Sequence, residues 1–384
     1  MKRICLFIVL GIITLGCGAS AQAEDEVREK LGVDSRHAVA ANITFSPSTQ
    51  PFRWRMVTTW SKSLLFHDIA VHFCDSVRLA SGGRLDITAF SDGELVPAMQ
   101  TFDAVSQGVV EVGHDWIGYW KSKNEGFVPL ASVPFGLDAE GYNIWLYERG
   151  GLKMMQDLYG RYNLYALPCG QVGQEMGLFS NKRVTKMADF SGMRVRTVGW
   201  YMDILKRLGV VVSPLSGSEI YPALERGAID AAEFSTPAIN YSMAFDKITK
   251  YAIEPGVHQP GSQCAVFFNQ AAWNSLPEDL KWIVDIAAKE TQHWSYQWIN
   301  NLNAEAIRKY QGHLEIVRMD KETLIEFRKV TQAYLDELKT KYPDVKMILD
   351  SQGAFIKEYE DWRNIRTGAT PWSYESYISG KITE

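Results

Sequence analysis

Hydrophobic and polar positions along this 384-residue chain change their period several times, and each change marks an element. Phe52 to Thr59 is rich in apolar and β-branched residues and stops at Trp60-Ser61-Lys62-Ser63, as a first strand and its loop would. From Leu65 to Ala80 the residues Ile69, Phe73, Val77 and Ala80 fall on one helical face, and Gly82-Gly83 ends the run. Leu85, Ile87 and Ala89 then alternate with Asp86 and Thr88, the period of a strand with one buried face. Strand, helix and strand in that order predict a parallel sheet.

Two distant segments share one pattern. Ala104-Val105-Ser106-Gln107-Gly108-Val109-Val110-Glu111-Val112-Gly113 matches Ala223-Leu224-Glu225-Arg226-Gly227-Ala228-Ile229-Asp230-Ala231-Ala232. In each, a helix is stopped by a glycine suited to the left-handed cap position, and a short apolar strand carrying one acid follows. Ser218 is the expected N-cap of the second helix, with Pro222 in its opening turn. One such corner is commonplace; two, each followed by polar and aromatic residues, predict two like domains. Ligands bind beyond the carboxyl ends of strands in open parallel sheets. His114-Asp115-Trp116 and Glu233-Phe234-Ser235 are therefore the expected opposing walls of a cleft, with Tyr119 close behind the first. Taken singly, Trp116, Tyr119 and Trp120 read as core aromatics.

After Phe268-Asn269 the pattern turns helical. Pro277 opens a segment through Trp282, Ile286, Trp294 and Ile299 that ends near Gly312, and a second runs from Lys321 to Pro343. The final stretch carries Phe355, Tyr359 and Trp362 at helical spacing. That stripe either packs on its parent lobe or docks on a second subunit; an extension this aromatic needs a cover, so a homodimer is expected.

The chain opens with Lys2 and Arg3, an apolar run from Ile4 to Gly16, and Ala21-Gln22-Ala23, which together read as an export signal over residues 1–23. Cys17 follows Leu15-Gly16, but a lipobox would carry leucine where Thr14 stands, so lipid attachment is the lesser expectation. Residues 24–51 lack periodicity, end in Ser46-Pro47-Ser48-Thr49-Gln50-Pro51, and read as a spacer. No later stretch has the apolar length of a membrane span. A net charge of -5 offers no basic excess for nucleic acid. Past the signal only Cys74, Cys169 and Cys264 remain, enough for one disulfide but without a CxxC pair for zinc. The remaining length exceeds what one core supports and predicts two lobes.

Candidate chemistry gathers in two places. Gly192-Met193-Arg194-Val195-Arg196-Thr197 reads as a short strand with Arg194 and Arg196 on one side. A guanidinium at a strand end grips a carboxylate through two parallel hydrogen bonds, although a surface ion pair is the commoner fate of arginine. Arg196 lies nearer the loop Thr197-Val198-Gly199-Trp200, where glycine permits close approach. Gln171-Val172-Gly173-Gln174-Glu175-Met176-Gly177 sets Gln174 and Glu175 among glycines on an expected lobe crossing. Beside Glu233 and Arg196 these residues supply acceptors for a hard cation and donors for a ligand. There is no nucleophile elbow and no HExxH helix. A Glu175–Glu233 acid pair leaves a hydrolase as a rival, but an enzyme is not the expectation.

From about Phe52 to Pro343 the sequence resembles the solute receptors of tripartite ATP-independent periplasmic (TRAP) transporters, most densely from Asn181 to Pro237. Asn181-Lys182 leading to Asp189-Phe190-Ser191-Gly192-Met193-Arg194-Val195-Arg196 is similar to the family's strand with its ligand-gripping arginine, here Arg196. Ile220-Tyr221-Pro222-Ala223-Leu224-Glu225-Arg226-Gly227-Ala228-Ile229-Asp230-Ala231-Ala232-Glu233 is similar to the following helix and cleft strand. Within the family the chain looks most like the 2-oxo acid receptors, in which a cation bridges protein and ligand carboxylate. The resemblance implies that Glu233 gives that cation a carboxylate and Phe234 its backbone carbonyl while its ring flanks the ligand; Gln259, by its place after the next strand, is the candidate to complete the shell, although Val257-His258-Gln259-Pro260 departs from the family's pattern. That subgroup commonly has tryptophan where this chain has Phe234 and glutamine where it has Glu175. A second carboxylate calls for a more highly charged ion, so Ca²⁺ is expected over Na⁺. Gln174 takes the place of Glu175 in the site if that acid faces away.

The implied fold is a two-lobed α/β binding protein of type II-like design, with hinged lobes, crossing segments and a helical C-terminal extension. Its expected bounds are 52–173 with 261–299 in one lobe, 174–260 with 300–343 in the other, and 344–384 as the extension. The implied function is periplasmic capture of a small organic carboxylate, a 2-oxo or 2-hydroxy acid such as pyruvate or lactate. The ligand is then handed to the membrane subunits of the transporter. A module reporting its ligand to a membrane kinase is the alternative.

Overall fold

The computed structural model describes residues 51–367. Two sheets organise them. The first is built from β1 (Phe52–Thr58), β2 (Leu85–Phe90), β3 (Val112–Trp116), β4 (Leu164–Gln171) and β10 (Gln263–Asn269), in the order β2-β1-β3-β10-β4. The second contains β5 (Leu178–Ser180), β6 (Arg194–Arg196), β7 (Val211–Ser213), β8 (Ala231–Ala232), β9 (Tyr251–Glu254) and β11 (Glu315–Arg318), ordered β11-β9-β5-β8-β6-β7. Helices cover both sheets, so the chain has the expected two-lobed α/β fold with a helical C-terminal extension.

The first unit forms as its periodicity dictates. β1 and β2 pair in parallel from Phe52↔Leu85 to Val57↔Phe90, and the helix Leu65–Ala80 buries Ile69, Phe73 and Val77 against them. Ala80, at its end, is exposed, and Gly82 and Gly83 leave the helix with positive φ. The two matching corners also fold alike: Gly108 and Gly227 adopt φ of 72° and 65°. The second helix, Gly217–Glu225, corrects the expected cap. Ser216 donates from its backbone N and Oγ to Glu219, so the acid three residues on selects Ser216, while Ser218 lies inside the helix. Pro222 accordingly sits mid-helix and not in the opening turn.

The sheets are mixed where a parallel sheet was expected. β10 runs antiparallel to β3 and β4, and β5 runs antiparallel to β8 and β9. Chain direction explains both. After β4 the chain leaves the first sheet at that strand's carboxyl end and enters the second sheet as β5; after β9 it returns as β10. A strand that starts at the edge where its neighbours finish must oppose them. The crossings, 172–177 and 255–262, lie side by side, with Glu175 N donating to Gln259 O at 3.1 Å, and Gly177 N continues the contact to Ile253 O of β9 at 2.8 Å.

The helix Glu278–Tyr310 ties the sheets a third time. Ser295 Oγ bonds the backbone of Gln171 near β4, and Tyr310 OH donates to Pro237 O beyond β8 at 2.6 Å. Ile286, expected on its packed face, is 58% exposed. In the last helix, Pro343–Thr367, Phe355 is buried on its own chain, Tyr359 stacks on it and donates to Glu140 at 2.9 Å, and Trp362 is exposed. Cys74, Cys169 and Cys264 are buried and free, so the single disulfide that their number allowed does not form among them. Among the described residues no helix is long and apolar enough to cross a membrane. The expected signal, Cys17, the spacer up to residue 50 and the last residues of the extension lie outside the described residues.

Gly256 fixes the spacing of the crossings: a Cβ there would stand 2.0 Å from the carbonyl oxygen of Glu175. Gly256→Ala must push the two strands apart. We expect a loss of about 2 kcal/mol or more in urea unfolding together with weakened ligand binding; wild-type values for both would contradict this packing.

Candidate functional site

Arg196 closes β6, where Val195 and Arg196 pair with Ala231 and Ala232 of β8. Glu233 N continues that ladder to Arg196 O at 3.0 Å, which sets the acid beside the arginine. The guanidinium is 1% exposed. Its Nε donates to Leu215 O at 2.9 Å and its Nη1 to Glu233 O at 2.6 Å, with Glu233 Oε2 3.5 Å from Nη1. Cζ stands 5.2 Å over the Phe234 ring. Nη2 is buried without a hydrogen-bond partner, so this rigid fork keeps one donor free. Arg194, at the far end of the same short strand, binds Asp230 at the surface.

Around Glu233 the second sheet and both crossings converge. Thr197 Oγ1 donates to Glu233 Oε2 at 2.7 Å and Gln259 Nε2 to Oε1 at 3.3 Å. Glu175 accepts from Ser235 Oγ at 3.3 Å through Oε1, while its buried Oε2 has no hydrogen-bond partner. His258 Nε2 lies 3.5 Å from both carboxylates, and its ring stacks on Tyr201 with centroids 4.5 Å apart. Neither His258 nitrogen makes a hydrogen bond. Burial alone would lower the His258 pKa, but the two acids outweigh it and hold it at about 9. Burial drives Glu175 upward against the pull of His258, whereas in Glu233 the same burial is overcome by His258 and Arg196, leaving it below the usual value.

The first sheet supplies an aromatic wall. Trp60, just past β1, stacks on Phe66 at 4.4 Å, and Phe66 meets Phe234 edge-on at 6.3 Å across the seam. Trp116, at the end of β3, packs against Tyr119, and its ring would lie 3.0 Å from a Cβ at Gly199, a residue with φ of +63°. Trp60 is held in turn by His114, whose Nδ1 accepts from Trp60 Nε1 at 2.8 Å and whose Nε2 lies 2.8 Å from Cys169 O. These walls enclose a cavity of about 10 Å³, room for a single water.

Six of the residues expected in the site line this cavity: Arg196, Glu175, Phe234, Gln259, Trp116 and Tyr119. Glu233 lies behind them in the acid pair. Gln174 departs from the expectation: it is exposed and does not line the cavity, because neighbours in an extended crossing point to opposite sides and Glu175 is the one turned inward. Of the tripeptide His114-Asp115-Trp116 only Trp116 reaches the cavity. Asp115 and Trp120 bond each other in the core, where burial holds the Asp115 carboxyl well above the usual carboxylate range. Sequence reasoning missed Trp60, Phe66 and Ser262 on the wall, and His258 beside the acids. The rule that placed Trp116, a strand's carboxyl end facing the cleft, also points to Trp60 after β1.

The donor set fits a cation. Glu175, Glu233 and His258 bring one ligand atom each within 4.8 Å of one another, all buried, and an oxygen of Glu175 and both His258 nitrogens have no hydrogen-bond partner. Gln259, expected in the metal shell, instead donates to Glu233 and accepts from Ser262 Oγ at 3.1 Å. Among the described residues this is the group of acids and histidines close enough to hold a metal.

Two lobes that meet over a buried cavity, each furnishing one wall, define a protein that encloses a small solute. The DctP family model, bacterial extracellular solute-binding protein family 7, matches residues 56–341, and the chain belongs to that family. It is a solute-binding receptor of the TRAP type. A monocarboxylate 2-oxoacid-binding periplasmic protein of Nostoc sp. is 35% identical over 328 residues, spanning 85% of this chain and 89% of its own. A TRAP transporter solute-binding protein from Bordetella bronchiseptica, a mixed-occupancy dimer with calcium and picolinate in its bound site, superposes with a TM-score of 0.81. Its identity is 33%, over 83% of this chain and 96% of that one. A TRAP periplasmic solute-binding protein from Pseudoalteromonas atlantica, with sodium and pyruvate, gives 0.80 at 28% identity over 84% of this chain and 100% of that one.

The His114 linkage is open to measurement. Burial lowers its pKa from 6.5 to about 4, so the unfolded chain takes up the proton first. Stability from this group is complete above pH 6.5 and falls as the pH drops toward 4, by about 3 kcal/mol between pH 7 and pH 4. Urea unfolding of His114→Gln is expected to show a shallower acid loss than wild type; an identical loss would contradict a neutral His114.

Proposed function

We propose that this receptor binds a small monocarboxylate of the 2-oxo acid type, with the carboxylate on Arg196 and a Ca²⁺ ion held by Glu175 and Glu233 against the ligand's oxygens. The observation that carries the reading is the free Nη2 of Arg196, buried where the two lobes meet. An unmet buried donor costs roughly 1–3 kcal/mol, more when charged, and a bound carboxylate removes that cost. The 2-oxo acid relative and the calcium- and sodium-containing structures support both the ligand class and the cation. The cation supplies positive charge that offsets the two acids and orients the ligand's carboxyl and oxo groups. Trp116, Tyr119 and Phe234 cover the remainder, and Gln259 orients Glu233. His258 is either a further ligand or a screen between the two acids.

Binding by closure follows from the contacts across the seam. Phe66 on Phe234 and Trp116 on Gly199 exist only when the lobes meet, and the space they leave holds a single water, so a ligand touching both walls holds the lobes together at a wider spacing than this one. The hinge in this reading lies in the crossings, separating residues 52–173 with 261–299 from 174–260 with 300–343. The exposed Trp362 is the surface offered to a second copy, and export to the periplasm puts the closed receptor within reach of the transporter's membrane subunits. Catalysis is no part of this reading: the acids face each other and His258, and the receptor returns its ligand unchanged.

Isothermal titration with pyruvate tests the arginine. Arg196→Ala is expected to lose roughly 100-fold or more in affinity, the scale of charge-assisted hydrogen bonds, while its circular dichroism stays native; unchanged affinity in a folded variant rejects the role. Chelation should abolish wild-type binding and Ca²⁺ restore it. Glu175→Gln, which removes one negative charge from the cation's surroundings, should shift the restoring ion toward Na⁺. Pyruvate affinity indifferent to chelator and to added ions would rule the bridging cation out.

A further inference from the structure

The first lobe's aromatic wall is held from behind by a residue that does not itself line the cavity. His114, in the middle of β3, is fully buried, and both of its ring nitrogens are engaged. Trp60 Nε1 lies 2.8 Å from Nδ1, and Nε2 lies 2.8 Å from the Cys169 carbonyl of β4. An indole nitrogen only donates and a carbonyl only accepts, so the imidazole is fixed as one tautomer, with its lone pair on Nδ1 and its hydrogen on Nε2. A doubly protonated ring would set one N–H against another, and burial, which lowers the His114 pKa to about 4, keeps it neutral.

The other contacts of Trp60 leave one choice open, and this bond makes it. The Trp60 backbone is pinned on both sides, its N donating to Thr58 Oγ1 at 3.4 Å and its O accepting from Asp92 N at 2.8 Å. Its ring stacks on Phe66, centroids 4.4 Å apart and planes 21° from parallel. A half-turn about χ2 keeps the plane of the indole but exchanges its two edges. The hydrogen bond to His114 selects the edge, directing the N–H to an acceptor outside the cavity lining. Without that acceptor a buried N–H is left unmet, and turning the indole toward the polar groups of the cavity relieves it. Phe66, which lies on the Trp60 face, meets Phe234 edge-on at 6.3 Å, and Phe234 carries the Arg196 guanidinium at 5.2 Å. Tyr119, a further member of the wall, has its ring 6.1 Å from that of Trp60.

We infer that His114 is a positioning residue for ligand capture: by accepting from Trp60 it fixes the orientation in which the first lobe's wall, Trp60 with Phe66, is presented to a ligand on Arg196. The inference goes beyond the proposed function and rests on it only in taking pyruvate as its probe. An indole free to turn spends part of its time in orientations that do not fit the ligand, and apparent affinity falls by the fraction lost.

Asparagine and leucine at position 114 make the test. They are of nearly equal size and both give up the contact with Cys169, but only asparagine brings an acceptor, its Oδ1, to the place of Nδ1. In titration calorimetry with pyruvate and Ca²⁺, His114→Asn is expected to stay within about threefold of wild type and His114→Leu to lose about tenfold, the scale of one hydrogen bond. Combined with Trp60→Phe, which lacks the N–H, the two variants should bind alike. In magnetic resonance spectra the Trp60 indole N–H, identified by its loss in Trp60→Phe, should exchange slowly with water in wild type and His114→Asn and rapidly in His114→Leu. Equal affinities of the asparagine and leucine variants, or a difference that survives Trp60→Phe, would overturn the assignment and leave the 2-oxo acid reading intact. Where the leucine variant does not fold, the wild-type imidazole decides: a hydrogen on Nε2 with a slowly exchanging Trp60 N–H supports the assignment, and a hydrogen on Nδ1 overturns it. Wild-type receptor that binds no pyruvate would bring down both.

Discussion

A guanidinium buried with one donor unmet governs how this molecule is put together. Removing Arg196 from water is unfavourable unless its donors find acceptors, and the fold meets most of that demand with the Leu215 and Glu233 carbonyls. Arg196 lines a small cavity and its Nη2 stays unmet, as does one oxygen of Glu175 on the same lining; behind Glu175 both nitrogens of His258 are also without partners. With His258 held near pKa 9 the two acids are matched in charge by the imidazolium and the guanidinium, and what remains over is unmet hydrogen-bonding capacity on Arg196, Glu175 and His258. In the proposed complex an organic anion together with a cation meets it.

Topology delivers these groups to one point. Strand ends bring Trp60 and Trp116 from one sheet and Arg196 and Glu233 from the other, while the crossings bring Glu175, His258 and Gln259. Because those crossings are also the connections between the lobes, any hinge movement changes the spacing of the acids as well as the gap between the walls. In the proposed reading, ligand enclosure and assembly of the cation site are one event. The helix Glu278–Tyr310 also spans the two sheets without contributing to the cavity lining.

Much of this was legible in the sequence, and the gaps have physical causes. The paired helix-glycine-strand corners disclosed two like halves because a left-handed glycine and a one-sided apolar strand are local requirements. The antiparallel β5 and β10 were not legible, since a strand's residues carry no mark of the direction from which the chain enters the sheet. Gln174 and Glu175 could not be told apart because alternation assigns neighbours to opposite sides without saying which is inside. His258 went unread as a site residue: a lone histidine between valine and glutamine looks like packed core, and only the fold sets it against two acids drawn from distant segments. The Ser216 cap was legible but overlooked: Glu219 stands three residues after Ser216, the capping-box spacing, and only one after Ser218.

A crystal structure of the receptor with a bound 2-oxo acid and Ca²⁺ addresses the central claim most directly. The account predicts one carboxylate oxygen within hydrogen-bond distance of Arg196 Nη2, with the ion between the ligand and the side chains of Glu175 and Glu233. A ligand seated elsewhere in the cleft, with Nη2 bonded to protein or still unmet, would contradict it.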